Sequence, residues 1–301
     1  MKRIQLAKSQ ESFELLDQWH SRFESKLEFA SVTHRVETSF GFTDVMTTGD
    51  SESSTLRTEP PLFIIHGATA GAPFALGEIG DLPSRRQIHA VNVPGQSTRA
   101  AQIRLDFKTD EYARWFGEIL DHFNVDQVVL CGISWGGSVA LRVAKHLPKR
   151  LHGLVLVVPG SIVNGSVWEG IRSMALPIFR YKLFPNDKNR DRALRNIVTS
   201  HDELWSPYLG DSIRHWKVDF SVPPLVIPSD FNELTSPVYV FAADEDVSFP
   251  GQPLIERCEQ LFPNLVGSHL LANSKHCPSF QPSERQKFTK LFEEALTKTE
   301  A

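Results

Sequence analysis

Apolar residues along this chain fall into two patterns that alternate. Short, continuously apolar runs occur at Leu62-Phe63-Ile64-Ile65, Ile88-His89-Ala90-Val91-Asn92-Val93, Val128-Val129-Leu130-Cys131, Leu154-Val155-Leu156-Val157-Val158 and Val238-Tyr239-Val240-Phe241, with a weaker run from Leu265 to Leu271. Runs of this length, bounded by turn residues, predict strands buried on both faces. Between them, Tyr112, Trp115, Phe116, Ile119, Leu120 and Phe123 share one helical face. Val139, Leu141, Val143 and Ala144 mark a second helix, Leu254, Ile255, Cys258 and Leu261 a third, and Phe288, Leu291, Phe292 and Ala295 a fourth. Buried strands alternating with amphipathic helices predict an α/β architecture, a mainly parallel central sheet covered by helices on both faces.

The ends of this alternation differ from its middle. Phe13, Leu16, Trp19 and Phe23 predict a leading helix, and Ser31 to Met46 predicts two strands around Gly41. Asp50 to Pro60 is polar, ends in Pro-Pro and is expected to be a loop. From Pro159 to about Pro237 no strand-like run occurs; large residues (Trp168, Met174, Phe179, Tyr181, Trp205, Tyr208, Trp216) are scattered among charges and prolines. A structureless connection of that length is uncommon in a compact domain, so a helical lid over the carboxyl edge of the sheet is expected. The expected organisation is a core of residues 1–160 and 231–301 with a helical lid, residues 161–230, inserted before the last two strands.

Composition narrows the function classes. A net charge of −4 without a dense basic run disfavours a nucleic-acid partner. No apolar run approaches the ~20 residues of a membrane helix, so no membrane partner is expected. The N-terminal stretch Met1-Lys2-Arg3-Ile4-Gln5-Leu6 turns polar before any apolar segment forms, unlike a secretory signal. Cys131, Cys258 and Cys277 are odd in number and unpaired in spacing, which predicts reduced thiols in a cytoplasmic protein and no metal site.

The chemistry concentrates in Cys131-Gly132-Ile133-Ser134-Trp135-Gly136-Gly137, between a buried-strand run and a helix. A serine on a sharp strand-to-helix turn, flanked by glycines, is held out above the sheet. Its hydroxyl needs a base, and the base an orienting acid. Of eleven histidines, His20, His122, His146 and His152 fall in helices or at helix ends, whereas His276 follows the last strand-like run and precedes the final helix. His276 is therefore the expected base and His269 its main competitor. The loop after the preceding strand, Ala243-Asp244-Glu245-Asp246-Val247-Ser248-Phe249-Pro250, offers three carboxylates that spacing alone does not separate.

Nucleophile, acid and base in the order Ser, Asp, His make the chain resemble serine hydrolases of the α/β-hydrolase fold superfamily, over roughly residues 30 to 300, and within it bacterial carboxylesterase-like members. His66-Gly67-Ala68 resembles that family's HG turn, and Pro94-Gly95-Gln96-Ser97 a shortened form of its P-G-x-G-x-S turn. Ala243-Asp244-Glu245-Asp246 with Pro250 resembles its G-x-x-D-x-x-x-P, and His276-Cys277-Pro278 its terminal H-x-P segment, with Lys275 where the usual glycine stands. The resemblance implies Asp246 as the acid, Asp244 standing second, and the backbone amides of Ala68 and Trp135 as an oxyanion hole. It implies a hydrolase of small-molecule carboxylic esters that works through an acyl-enzyme without cofactor or metal. Carbon–carbon bond hydrolysis, acyl transfer or a ligand-binding role on the same fold are the alternatives. Ser134 stands where haloalkane dehalogenases and epoxide hydrolases of this fold carry aspartate, and the HGGPG segment of prolyl aminopeptidases is missing at His66-Gly67-Ala68-Thr69-Ala70. Lid aromatics such as Trp168 and Trp205 are expected to set substrate choice.

Overall fold

The computed structural model describes residues 6–49, 59–84, 86–217 and 223–301. Most of the loop expected at 50–60, the start of the N-terminal stretch and five positions of the expected lid lie outside the described residues. Eight strands form one sheet in the order β1-β2-β4-β3-β5-β6-β7-β8: β1 (Ser31–Thr38), β2 (Gly41–Thr48), β3 (Leu62–Ile65), β4 (Ile88–Val91), β5 (Val128–Ile133), β6 (Leu151–Val157), β7 (Val238–Ala243) and β8 (Leu265–Leu271). The hairpin β1–β2 joins antiparallel to β4, and every pair from β4 to β8 is parallel. The continuously apolar runs are the interior strands, as burial on both faces requires; the edge strand β1 instead carries Arg35 and Glu37 in a half-exposed pattern.

Helices cover both faces. On one side α3 (Glu111–His122), α4 (Trp135–His146) and α9 (Gly251–Leu261) bury Trp115, Phe116, Val139 and Leu254. On the other, α2 (Ala72–Glu78) and α10 (Pro282–Glu300) bury Leu76, Phe288 and Phe292. The leading helix α1 (Gln10–Glu24) starts where the Ser9 hydroxyl accepts from the Ser12 amide, an N-cap that satisfies one of the free amides of the first turn. Two details depart from the sequence reading. Helix α2 has no polar face to announce it, because it is packed almost all round. His152 lies in β6 rather than at a helix end.

Between β6 and β7 the described residues form helices and no strand: α5 (Val167–Gly170), a π-turn at Ile171–Ala175, α6 (Leu176–Leu183), α7 (Asp187–Leu194) and α8 (Trp205–His215). Helix α8 docks on α1, with Trp19 Nε1 donating to Asp211 at 2.9 Å and Ser12 Oγ 2.9 Å from His215 Nδ1. Rings of Trp19, Phe23, Phe74, Trp205, Tyr208 and Phe280 close the joint. Parallel strands end at one edge, and the register sets Ile65 beside Gly132 and Ala243 beside Leu271. The loops after β3, β5, β7 and β8 therefore meet there, where open α/β sheets bind ligands.

Candidate active site

Ser134 lies between β5 and α4 at φ 54° and ψ −117°, a left-handed conformation costly for a residue with a side chain. The turn is over-determined by its neighbours. The Ser134 amide donates to Val157 O at 2.8 Å, and its carbonyl accepts from Gly137 and Gly160 at 2.9 and 3.0 Å. A Cβ at Gly136 would sit 2.4 Å from the carbonyl oxygens of both Ile65 and His66; one at Gly132 would meet Ala140 Cβ at 2.7 Å. The glycines flanking the serine are thus demanded by close backbone approach.

The hydroxyl of Ser134 lies 2.7 Å from His276 Nε2, and His276 Nδ1 lies 2.7 Å from Asp246 Oδ2. Asp246 is itself fixed: Oδ1 accepts the amides of Ser248 at 2.7 Å and Phe249 at 3.1 Å, and the side chain is fully buried. Burial disfavours the charged imidazole, but the Asp246 charge and hydrogen bond, helped by Glu78, outweigh it and raise His276 above the ordinary histidine value. Asp244 is used differently: its oxygens accept the amides of Asn273 and Ser274, both at 2.9 Å, bracing the loop that leads to His276. These backbone bonds hold its carboxyl below the usual range. Glu245 is exposed, and His269 lies in β8.

Ala68 follows Gly67, at which a Cβ would stand 3.6 Å from that of Ser134. His66 fixes this loop. Its Nε2 accepts from the Val93 amide at 3.0 Å, so Nδ1 carries the proton and donates to Gly67 O at 2.7 Å. Burial lowers its pKa to about 4, so the ring is neutral. A trans peptide points its C=O and N–H in opposite directions, so tying the Gly67 carbonyl to His66 aims the Ala68 amide the other way. Gln96 accepts the Thr69 amide at 2.8 Å, and Tyr208 donates to the Thr69 carbonyl. Among the described residues neither the Ala68 nor the Trp135 amide has an acceptor. The Trp135 ring packs edge-on against Phe107 and Tyr112, at 5.2 and 5.6 Å.

A cavity of about 650 Å³ opens at Ser134 and His276, walled largely by apolar groups from α2, α10 and the segment 194–213. Trp205 lines it; Trp168 does not, and is 81% exposed. The sequence reading missed Glu78 and Arg285, which also line the cavity, because no local pattern ties a residue of α2 to one of α10. His66 was legible as a turn residue, but its hydrogen bonds were not. Among the described residues no cluster of histidine, cysteine, aspartate or glutamate could hold a metal ion, and no helix is long and apolar enough to cross a membrane.

A family model described as alpha/beta hydrolase fold matches residues 60–195. The uncharacterized carboxylesterase nap of Bacillus subtilis (strain 168) is 23% identical over 124 residues, which are 41% of this chain and only 39% of that protein's length. The carboxylesterase YbfK of the same strain is 18% identical over 260 residues, 83% of each chain. A crystal structure of naproxen esterase (carboxylesterase NP) from Bacillus subtilis superposes with a TM-score of 0.76 at 16% identity, covering 95% of this chain and 99% of that one.

Proposed function

We propose that this chain, which has the α/β-hydrolase fold and is carboxylesterase-like, hydrolyses carboxylic esters through an acyl-enzyme on Ser134. The observation that carries the reading is the hydrogen-bonded line Ser134–His276–Asp246 at the mouth of an apolar cavity. Ser134 Oγ attacks the ester carbonyl while His276 Nε2 takes its proton, and Asp246 holds the imidazole in the tautomer that can accept it. The amides of Ala68 and Trp135 receive the developing oxyanion; each such donor contributes about 10²–10³-fold in rate. His276 then protonates the leaving alcohol, and water, deprotonated by the same imidazole, releases the acid. The segment 161–230 acts as the lid, and its residues between 194 and 213 shape the cavity. The partner is a small ester, with no cofactor, and three free cysteines suit a cytoplasmic setting in which thiols stay reduced. A fluorophosphonate should label Ser134, and a panel of p-nitrophenyl esters should be turned over; labelling at another residue would refute the assignment.

The base must be neutral to accept a proton. The acid limb of the kcat/KM–pH profile is therefore expected above the ordinary imidazole value near 6.5. The same shift makes the His276–Asp246 pair stabilise the fold below the unfolded-state pKa, a contribution lost as pH rises through the folded-state value. A profile flat down to pH values well below that of ordinary histidine would contradict the assignment of His276.

Lid selectivity separates two tryptophans. Trp205 stacks on Phe280 at 4.7 Å and faces the cavity, whereas Trp168 is exposed. Trp205→Ala is expected to change relative kcat/KM across acyl lengths, and Trp168→Ala to leave the ratios unchanged. If Trp205→Ala lowers activity on all esters in parallel with thermal stability, that ring only holds the joint together.

A further inference from the structure

Two groups of opposite charge line the cavity and take no part in the steps above. Glu78 ends α2, and Arg285 lies near the start of α10. Arg285 is fixed in place: it donates to the Gly77 carbonyl, and its guanidinium lies over the rings of Trp205 and Phe280, 5.1 and 5.2 Å from their centroids. A guanidinium offers five N–H donors, and among the described residues only this one hydrogen bond uses them. The Glu78 carboxyl makes no hydrogen bond and no ion pair with a described residue. Its pKa is pushed up to about 7 by burial, which the charges of Arg285 and His276 oppose.

A carboxyl and a guanidinium with spare bonding capacity, set in an apolar wall, carry a desolvation cost that an incoming group can relieve. A carboxylate on the ligand would pair with Arg285 but be repelled by Glu78, and an ammonium would pair with Glu78 but be repelled by Arg285. A neutral group that both donates and accepts satisfies the two together. Resting on the ester-hydrolase reading, we propose that Glu78 and Arg285 form a polar subsite of the substrate cavity, which takes a hydroxyl or amide group carried by the ester being cleaved. The enzyme then selects functionalised esters over plain alkyl esters, because an alkyl chain there leaves both polar groups unmatched.

The test compares p-nitrophenyl esters of ω-hydroxyalkanoic acids with alkanoate esters of equal heavy-atom count over a series of chain lengths, with ω-carboxy esters as a third arm. At one or more lengths the native protein should prefer the hydroxy ester by about 10- to 100-fold, the range expected when a buried polar group gains or loses its partner. Glu78→Met should abolish that ratio, and Glu78→Gln, which can still donate and accept, should keep most of it. Ratios are the readout because loss of the Glu78 charge also alters His276 and affects both esters alike. A preference for the alkyl ester at every length, a ratio unchanged in Glu78→Met, or a preference for the ω-carboxy ester would each overturn the subsite. Calorimetric binding of the corresponding methyl ester pairs to Ser134→Ala gives the same ratio without turnover. A ratio seen in binding while the native protein hydrolyses nothing would keep the subsite and remove the esterase reading; no ratio in binding would remove the subsite alone.

Discussion

Replacing Ser134 by alanine is expected to lower kcat/KM on p-nitrophenyl esters by about 10³-fold or more, with the fold unchanged. The hydroxyl makes one side-chain hydrogen bond, to His276, so its removal costs little packing. The strained φ of 54° is imposed by the backbone bonds to Val157, Gly137 and Gly160, which alanine keeps. The loss should therefore fall in the chemical step, with circular dichroism and melting temperature close to native and with fluorophosphonate labelling gone. Residual turnover is expected, because the Ala68 and Trp135 amides and the apolar cavity still act on the carbonyl. Native-like turnover in the alanine variant would mean that another residue attacks the ester.

Asp246→Asn is expected to cost about 10³–10⁴-fold in kcat, far more than Asp244→Asn. Asp246 Oδ1 is committed to the Ser248 and Phe249 amides, so in the variant that oxygen stays and the new NH2 replaces Oδ2 against His276 Nδ1. The imidazole must then offer Nδ1 as acceptor and carry its proton on Nε2, where it cannot take the proton of Ser134. Asp244 instead bonds the amides of Asn273 and Ser274. An asparagine there loses one of these bonds and loosens the loop that carries His276, so thermal stability should fall more than turnover. The stabilisation from the depressed Asp244 carboxyl is present above its unfolded pKa and lost as pH falls through the folded value. The Asp244→Asn variant should accordingly gain less stability than the native chain on going from acid to neutral pH. If Asp244→Asn were the change that abolished turnover, the acid would be two residues away from where it is assigned here.

What could be read beforehand was whatever leaves a local periodic trace. The runs Leu62–Ile65 and Val238–Phe241 read as buried strands because both faces are covered, and Ser134 was conspicuous because glycines flank it between two such elements. The order Ser134, an acid of the 244–246 loop, then His276 could be read from loops falling at one edge of a parallel sheet, whereas Asp246 in particular came only from the resemblance. Other features are tertiary. Helix α2 is packed on most sides and so lacks amphipathic contrast. Trp168 and Trp205 look alike as letters among charges, yet one is 81% exposed and the other 7%, a difference made by the docking of α8 on α1 and α2. Asp244 and Asp246 are equivalent by spacing; their bonds tell them apart, Asp244 to the Asn273 and Ser274 amides and Asp246 to His276 Nδ1.

The hydrogen bond between Ser134 and His276 joins residues 142 apart, whereas Asp246 and His276 are 30 apart. Helix α8 and Lys217, two residues beyond it, bond back to the start of the chain, with Lys8 N to His215 O at 2.9 Å and Lys217 N to Leu6 O at 2.7 Å. Such distant closures are entropically late events in folding, made after local helices and neighbouring strands exist. During synthesis Ser134 emerges long before His276, its proposed base, so a partly made chain is expected to lack the means to attack. On the proposed reading, ester turnover is for this reason expected to report completed topology. In a refolding experiment it returns after the helical signal, and the interval between them times the docking of the β8–α10 segment onto the elbow.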